Sequence, residues 1–201
     1  MLSKNQIEIL NLFRKNIFLK LSILDLKKRL KNNSYQRIYE AVKELEKNNI
    51  LNSEKIGNSN LITFNLSRES ILELSYIEEK DSFSKKIPNI EKILDFHEFF
   101  DDIILITGSY STGTQTNKSD MDLVIISKEE VIKKQKLIEN ITMLFIPKVH
   151  PIVISYMDFS NMLTDNKENY GKEIFKNHLL FRNSKRYYEL IKEAIKNGFR
   201  G

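Results

Sequence analysis

The feature that most constrains the fold is a polar segment of fixed pattern between two apolar runs. The segment begins with Gly108-Ser109 and ends, after ten intervening residues, with Asp120-Met121-Asp122. Residues 103–106 before it and residues 123–126 after it are continuously apolar, which predicts two strands that are buried on both faces. The pattern therefore predicts two core strands that present a glycine-serine turn and a pair of carboxylates at one end of a sheet.

The two ends of this segment predict complementary chemistry. Gly108 lets backbone amides approach an anion, Ser109 adds a hydroxyl donor, and Gly113 permits the turn that ends a short helix. Asp120 and Asp122 are two residues apart on a strand, so both carboxylates face the same side. Because Mg²⁺ prefers carboxylates, phosphate oxygens and water, these residues predict a site for Mg²⁺ and a phosphorylated ligand.

A wider apolar pattern surrounds the segment and predicts the layers of a domain. A third strand is predicted at residues 149–155, and helices are predicted at residues 170–180 and from a cap at Ser184 to a stop at Gly198. A helix before the first strand has one apolar face, which consists of Ile90, Ile93, Leu94, His97 and Phe100. Buried strands among helices predict an α+β or α/β fold in which helices flank a mixed sheet.

Gly-Ser, ten residues and Asp-x-Asp resemble the signature of the nucleotidyltransferase superfamily that includes DNA polymerase β, and in particular its minimal prokaryotic members. The resemblance covers about residues 88–200, and Gly113, Ser119 and Leu123 also fit the family pattern. It implies a nucleotidyltransferase domain whose substrate is a nucleoside triphosphate.

The resemblance also implies a mechanism. Two metal ions, Mg²⁺ or Mn²⁺, would be held by the catalytic residues Asp120 and Asp122, and Ser109 would bind a β- or γ-phosphate oxygen. One ion would lower the pKa of an attacking hydroxyl and the other would stabilise the pyrophosphate leaving group. The products would be a nucleotidyl ester of an unknown acceptor and pyrophosphate.

A third carboxylate on a neighbouring strand belongs to the family pattern and is missing from this sequence. No Asp or Glu occurs from residue 140 to residue 157, and His150 takes the expected position. Imidazole suits Mn²⁺ better than Mg²⁺, and its pKa near neutrality also suits a general base. Three interpretations stay open: His150 is functional, it only bonds a neighbour at the strand end, or the strand is misaligned. Asp158, which the sequence places at a helix cap, is the next acid and an alternative ligand.

The N-terminal third predicts a separate small domain. Helices are predicted at residues 4–15, 23–30 and 34–47, with Ser22 and Ser34 as caps of the second and third. Residues 50–56 and 60–66 then alternate around Gly57-Asn58-Ser59, which predicts a hairpin. Three helices followed by a hairpin resemble the winged helix-turn-helix family.

That second resemblance implies a DNA-binding module. The third helix would enter the major groove and the hairpin would touch the phosphate backbone near Lys55. The third helix would present Ser34, Tyr35, Gln36, Arg37 and Lys43 to DNA. Residues 1–66 hold twelve Lys and Arg against six Asp and Glu, whereas the whole chain carries +5, so the basic excess lies in this third alone. Such modules also serve in dimerisation or protein binding, and this alternative stays open.

The resulting organisation has three parts: a winged-helix domain at residues 1–66, a helical connector at 67–88 and a nucleotidyltransferase domain at 89–201. Within the connector, a helix is predicted at residues 69–80 and a loop at 81–88. The expected partners are a nucleoside triphosphate, DNA and either a second copy of the chain or a separate toxin-like protein.

The expected location is the cytoplasm. The sequence has no signal-peptide pattern, no cysteine and no apolar run of the ~18 residues that a membrane span needs. The main alternatives to an active transferase are a DNA-binding regulator whose weakened transferase domain senses a nucleotide, and an antitoxin-like partner of a separate toxin.

Overall fold

A computed structural model of the chain describes residues 2–31, 34–57 and 59–201. The chain divides into two compact units, with the division between Ile77 and Glu78. No helix in the described ranges is long and apolar enough to cross a membrane.

The N-terminal unit combines three helices with a three-stranded antiparallel sheet. Its elements are α1 (Lys4–Lys15), β1 (Lys20–Leu21), α2 (Ile23–Arg29), α3 (Tyr35–Lys47), β2 (Leu51–Ile56) and β3 (Ser59–Phe64), with β3 between β1 and β2. The three predicted helices and both strands of the predicted hairpin are confirmed. Asn58, in the predicted turn, lies outside the described residues. The sequence did not predict β1, because two residues are too few to show an alternating pattern.

Local side-chain chemistry explains where these helices begin. The Ser3 and Ser22 hydroxyls accept hydrogen bonds from the Gln6 and Asp25 amides, and those two side chains bond back to the serine amides. Such reciprocal caps satisfy donors that a helix start otherwise leaves unpaired. The hydroxyl of Ser34 caps α3 in the same way but without the return bond.

One long helix, α4 (Arg68–Ser84), begins in the N-terminal unit and ends in the C-terminal unit. The predicted loop at residues 81–88 is therefore wrong at its start, because helix continues to Ser84. Tertiary contacts account for the extension: the buried Ser82 hydroxyl accepts a hydrogen bond from the Leu180 amide at 2.8 Å, and the Phe83 ring packs edge-on against Phe181.

The C-terminal unit contains a four-stranded mixed sheet with helices around it. Its elements are α5 (Ile90–Leu94), β4 (Ile103–Thr107), α6 (Gly108–Thr112), β5 (Met121–Ser127), α7 (Val131–Thr142), β6 (Val149–Ser155), α8 (Tyr156–Thr164), α9 (Tyr170–Lys176), β7 (Leu179–Arg182) and α10 (Ser184–Lys196). The strand order is β6-β5-β4-β7, with β5 and β6 parallel and the other pairs antiparallel. The predicted mixed sheet with flanking helices is confirmed.

Different helices cover the two faces of this sheet. One face, which includes Ile104, Met121 and Leu123, belongs to a buried cluster with Ile93 of α5 and Ile138 of α7. Helix α8 contacts β5 and β6, and α10 contacts β4. Strands that are covered on both faces explain why residues 103–106 and 123–126 are wholly apolar.

Two helix predictions in this unit are wrong in extent. The helix predicted from Ile90 to Phe100 ends at Leu94, and a short 3-10 helix over His97–Phe99 buries Phe99 and leaves Phe100 exposed. The helical spacing of apolar residues therefore does not describe the chain beyond Asp95. The helix predicted at residues 170–180 ends at Lys176, because the consecutive apolar residues Leu179–Phe181 pair with β4 as a buried strand. A short apolar run does not distinguish a strand from a buried helix segment.

Two predicted helix caps are also corrected. Asn183, with a left-handed φ of 56°, takes the cap position of α10, and Ser184 is the first helical residue. Ser155 caps α8, and Asp158 lies three residues further on, where its carboxylate accepts a hydrogen bond from the Ser155 hydroxyl.

The outer edge of β6 is protected by a side chain of α7. The Gln135 amide donates to the Pro151 carbonyl at 2.9 Å and accepts from the Val153 amide at 2.7 Å. These are the backbone groups that a further strand would bond, and Pro151 has no amide proton to offer. Gln135 thus holds β6 in place without another strand, which matters because β6 carries His150.

Candidate nucleotide and metal site

The turn after β4 is built around two glycines with left-handed backbone. Gly108 has φ of 65° at the first position of α6, and Gly113 has φ of 73° at its end. The hydroxyls of Ser111 and Thr112 bond the Gly108 carbonyl. The Ser109 hydroxyl is partly exposed and makes no hydrogen bond to any other described residue. The turn predicted from the sequence is present, with one hydroxyl available for a ligand.

Strand register places three predicted site residues together. Asp122 of β5 pairs with His150 of the parallel strand β6, so their side chains share one face of the sheet. Asp120 lies two residues before Asp122, just before β5 begins. Met121 and Leu123 between and beyond them are fully buried. The predicted third strand is present, and it places His150 beside Asp122.

The His150 ring contacts both carboxylates. Its Nε2 atom lies 3.3 Å from Asp120 Oδ2, and its Nδ1 atom lies 3.8 Å from Asp122 Oδ1. The three side chains are between 39% and 48% exposed, so solvent and a ligand can reach them. The His150 ring therefore lies next to both carboxylates, which is compatible with a functional role and with a histidine that bonds a neighbour at the strand end.

Asp158 does not join this cluster. His150 is near the start of β6, and Asp158 follows the far end of that strand, in the first turn of α8. Ser155 lies five positions after His150 along the strand, a distance of roughly 17 Å at the usual rise per residue. The alternative ligand that the sequence left open is therefore ruled out by position.

The space beside Asp122 requires glycine at residue 108. A Cβ atom added to Gly108 would overlap Asp122 Oδ2, and the Asp122 carboxylate therefore lies directly against the Gly108 backbone. Positive φ at this position adds a second reason for glycine. The turn and the carboxylate pair are thus one packed unit, although Asp120 lies twelve positions after Gly108 in the sequence.

Gly108→Ala is expected to displace the Asp122 carboxylate and to weaken Mn²⁺ binding by about tenfold, which corresponds to ~1.4 kcal/mol. Electron paramagnetic resonance of free Mn²⁺ measures the affinity. Gly57→Ala is the matched control, because Gly57 has a similar φ of 59° but, apart from its chain neighbours, no described residue lies within 4 Å of the added Cβ. Equal Mn²⁺ affinity in the Gly108 variant and in wild type would contradict the packing argument.

The same face of the sheet carries two residues that the sequence did not single out. Thr107 of β4 pairs with Asp122, and its buried hydroxyl lies 3.2 Å from the Tyr170 hydroxyl at the start of α9. Burial raises the pKa of the Tyr170 phenol above its ordinary value, the Thr107 hydrogen bond opposes this, and the charge of Asp122 adds to it. Thr107 directly precedes Gly108, a position that could have drawn attention to it. Nothing in the sequence marks Tyr170.

The residues predicted to face DNA belong to the N-terminal unit. Tyr35, Gln36 and Arg37 are exposed in the first turn of α3, and the Tyr35 ring stacks on Tyr39 with centroids 6.3 Å apart. The Gln36 side chain bonds Glu40 at 2.8 Å. The exposed surface of α3 is therefore aromatic and of mixed charge.

The two predicted lysines differ in their surroundings. Lys43 pairs with Glu46 at 2.7 Å, and this hydrogen bond raises the pKa of the Lys43 ammonium. Lys55 is exposed on β2. An open cleft of about 610 Å³ is lined by Ser34 and Arg37 together with Lys4, Asn5, Glu8, Leu30 and Lys31. Three cations against one carboxylate make this cleft the positive part of the surface around α3.

The donor set of the cluster fits a divalent ion only in part. In residues 2–31, 34–57 and 59–201, no group of three or more His, Cys, Asp and Glu is already arranged to enclose a metal. The carboxylates of Asp120 and Asp122 are the hard donors that Mg²⁺ and Mn²⁺ accept, and imidazole is tolerated better by Mn²⁺. The chain thus offers two carboxylates and an imidazole, which leaves phosphate oxygens and water to complete the coordination.

Comparison with known proteins gives one match. Residues 87–182, just under half of the chain, match a family model described as a nucleotidyltransferase domain. No curated protein and no solved structure gives a significant match. The matched residues include the glycine-serine turn, the aspartate pair and His150, and the match supports nucleotidyl transfer as the function of this region.

Proposed function

We propose that the C-terminal unit is a metal-dependent nucleotidyltransferase with its active site at Gly108-Ser109, Asp120, Asp122 and His150. The observation that supports this most strongly is the packing of the Asp122 carboxylate against Gly108, beside His150 in the neighbouring strand. Phosphate-binding and metal-binding groups are thereby within one small surface. The family match over residues 87–182 supports the same reaction class.

The reaction joins an acceptor hydroxyl to the α-phosphorus of a nucleoside triphosphate. The acceptor oxygen forms the new bond, the bond from the α-phosphorus to the bridging oxygen of the β-phosphate breaks, and pyrophosphate leaves. Ser109 donates its hydroxyl to a phosphate oxygen, and Gly113 lets the chain turn away from the ligand. A divalent ion held by Asp120 and Asp122 would neutralise the charge on the phosphates and on the attacking oxygen.

His150 takes the acceptor proton in this proposal. Its ring is about half exposed and lies close to both carboxylates. An imidazole nitrogen can accept a proton from a hydroxyl that is bound beside it. His150 thus supplies the base function that a third carboxylate would supply.

His150→Asp is expected to increase the affinity for Mg²⁺ by about tenfold, ~1.4 kcal/mol, because it adds a hard oxygen donor and a negative charge to the pair. Isothermal titration calorimetry with MgCl₂ measures the change, and His97→Asp, an exposed histidine distant in sequence from the site, is the control. An unchanged Mg²⁺ affinity would show that residue 150 does not face the metal.

The transfer reaction is tested directly with labelled nucleotides. The protein is incubated with each of the four labelled NTPs, with Mg²⁺ or Mn²⁺, and with a panel of protein, RNA and small-molecule acceptors. Wild type is expected to transfer label and release pyrophosphate, and the Asp120→Ala/Asp122→Ala variant is not. If both proteins are equally inert across the panel, the enzyme proposal fails.

A second candidate function follows from the same histidine. Because His150 stands where the family pattern has an acid, the domain fits equally a nucleotide sensor with weakened catalysis in a DNA-binding regulator. Tight nucleotide binding without release of pyrophosphate, and a nucleotide-dependent change in DNA affinity, would favour the sensor. Release of pyrophosphate that depends on an acceptor would favour the transferase.

We further propose that the N-terminal unit, as a winged helix, binds duplex DNA through α3 and the β2–β3 hairpin. The cations that face the cleft at the start of α3 support this, since phosphate contacts dominate DNA affinity. In this proposal Ser34, Tyr35 and Gln36 contact base edges. Arg37, Lys43 and Lys55 contact phosphates or guanine. The domain limits 1–66, 67–88 and 89–201 remain part of this proposal.

Arg37→Ala is expected to weaken binding to random duplex DNA by about tenfold at low salt and to reduce the salt dependence, because one phosphate contact is lost. Fluorescence anisotropy at increasing KCl measures both quantities. Lys192→Ala, an equal loss of charge in the C-terminal unit, is the control. A flat salt response of the wild type, or no binding at low salt, would refute the DNA proposal.

A further inference from the structure

A row of four polar side chains crosses the sheet at the proposed active site. Thr107 pairs with Asp122 across β4 and β5, and Asp122 pairs with His150 across β5 and β6. Residues paired in this way present their side chains on the same face of the sheet. The Tyr170 hydroxyl, 3.2 Å from Thr107 Oγ1, adds the fourth group. The row thus runs from Tyr170 through Thr107 and Asp122 to His150.

Tyr170 is the partly accessible end of this row. Thr107 is 1% exposed, so its hydroxyl is closed to a ligand, whereas Tyr170 is only partly buried. A tyrosine hydroxyl is both donor and acceptor. When the Thr107 hydroxyl donates its proton to the Tyr170 oxygen, the Tyr170 hydroxyl can donate its own proton to another acceptor. That acceptor would lie on the side of the sheet where Asp122 lies.

The carboxylate pair has no Lys or Arg partner in the described ranges. His150 is the single basic side chain there at ion-pair distance from Asp120 or Asp122. Two carboxylates repel a triphosphate unless metal ions and hydrogen-bond donors offset their charge. Neutral hydroxyl donors such as Ser109 are therefore suited to binding a phosphate beside the pair.

We infer that Tyr170 is a triphosphate-binding residue, whose hydroxyl is oriented by Thr107 and donates to a phosphate oxygen of the nucleotide. This inference rests on the proposed nucleotidyltransferase function. Tyr170 lies at the end of the row opposite to His150, so the two residues act on different parts of the substrate. His150 accepts the acceptor proton, and Tyr170 binds phosphate.

The test compares Tyr170→Phe with wild type in three titrations: Mn²⁺ alone, Mn²⁺ with inorganic tripolyphosphate, and Mn²⁺ with ATP. Tyr170→Phe is expected to bind Mn²⁺ alone normally and to bind both polyphosphate ligands about tenfold more weakly, the effect of one lost hydrogen bond to a charged group. The matched control is Tyr156→Phe. The Tyr156 hydroxyl donates to the Asp101 carbonyl at 3.5 Å. Asp101 precedes the first residue of β4, whereas Thr107 is the last residue of that strand.

The outcomes separate the inference from the proposed function. If wild type binds ATP with Mn²⁺ and Tyr170→Phe binds it equally well, the inference is wrong and the proposed function stands. A loss for ATP but not for tripolyphosphate would mean that the Tyr170 hydroxyl contacts the base or the sugar and not a phosphate, which also overturns the inference. If wild type binds neither ligand, both the proposed function and the inference fail.

A second variant covers the case in which Tyr170→Phe does not fold, as judged by circular dichroism. Thr107→Val removes the group that orients the Tyr170 hydroxyl and keeps the side-chain volume. It is expected to weaken tripolyphosphate binding in the same direction and to leave Mn²⁺ affinity unchanged. Wild-type tripolyphosphate affinity in Thr107→Val would overturn the inference.

Discussion

Asp122→Asn is expected to reduce the rate of nucleotidyl transfer by roughly 100- to 1000-fold, the effect of ~3–4 kcal/mol of lost charge stabilisation in the transition state. Asp122 is the residue on which the site converges, because it packs on Gly108, pairs in register with Thr107 and His150, and lies two residues from Asp120. Asparagine keeps the shape of the side chain and removes its charge, so the fold is expected to remain intact.

The measurement is incorporation of labelled nucleotide under the conditions that give the highest wild-type rate. Asp101→Asn is the matched control, because Asp101 is exposed and lies just before the first residue of β4. The proposed active site is at the other end of that strand. Circular dichroism verifies that both variants fold. A wild-type rate in Asp122→Asn would exclude the aspartate pair as the catalytic centre.

Lys134→Met is expected to destabilise the C-terminal unit by about 3–5 kcal/mol, because it leaves a buried carboxylate without its partner. The Lys134 ammonium of α7 lies 2.6 Å from Asp102 Oδ2 and 3.0 Å from the Ser127 hydroxyl. The Lys134 and Asp102 side chains are 12% and 2% exposed. This ion pair connects α7 to the start of β4, and the bond to Ser127 connects it to the end of β5. Both strand ends are distant from the proposed active site.

Urea unfolding followed by circular dichroism measures the loss. Lys133→Met is the control: Lys133 pairs with Glu130 at 3.0 Å, but those side chains are 73% and 53% exposed, so the expected change is under about 1 kcal/mol. The double variant Asp102→Leu/Lys134→Met is expected to recover most of the stability, because no buried charge is left unpaired. Equal stability of the Lys133 and Lys134 variants would contradict this account.

The parts of the site that follow one another along the chain could be predicted from the sequence. A glycine-serine turn between two apolar runs and two aspartates on alternate strand positions are local patterns, and local patterns fix which way a side chain faces. The position of His150 was predicted less directly, from its place at the head of an apolar run. The parallel register of β5 and β6 supplies the reason for its proximity to the pair.

What the sequence did not predict depends on contacts between distant segments. The sequence of residues 179–182 is compatible with either a helix or a strand. These residues form β7 because the edge of β4 is available to pair with them. Tyr170 looked like an ordinary helix residue, and only the packing of α9 brings its hydroxyl to Thr107. The left-handed cap at Asn183 and the end of α5 at Leu94 are likewise set by tertiary packing that no local period contains.

The most direct test of the central claim is anomalous X-ray diffraction from crystals grown with Mn²⁺ and a non-hydrolysable ATP analogue. The account predicts a Mn²⁺ peak within bonding distance of carboxylate oxygens of Asp120 and Asp122, with the triphosphate against Ser109. A nucleotide bound elsewhere on the chain, or a bound nucleotide with no Mn²⁺ peak at the aspartate pair, would contradict it.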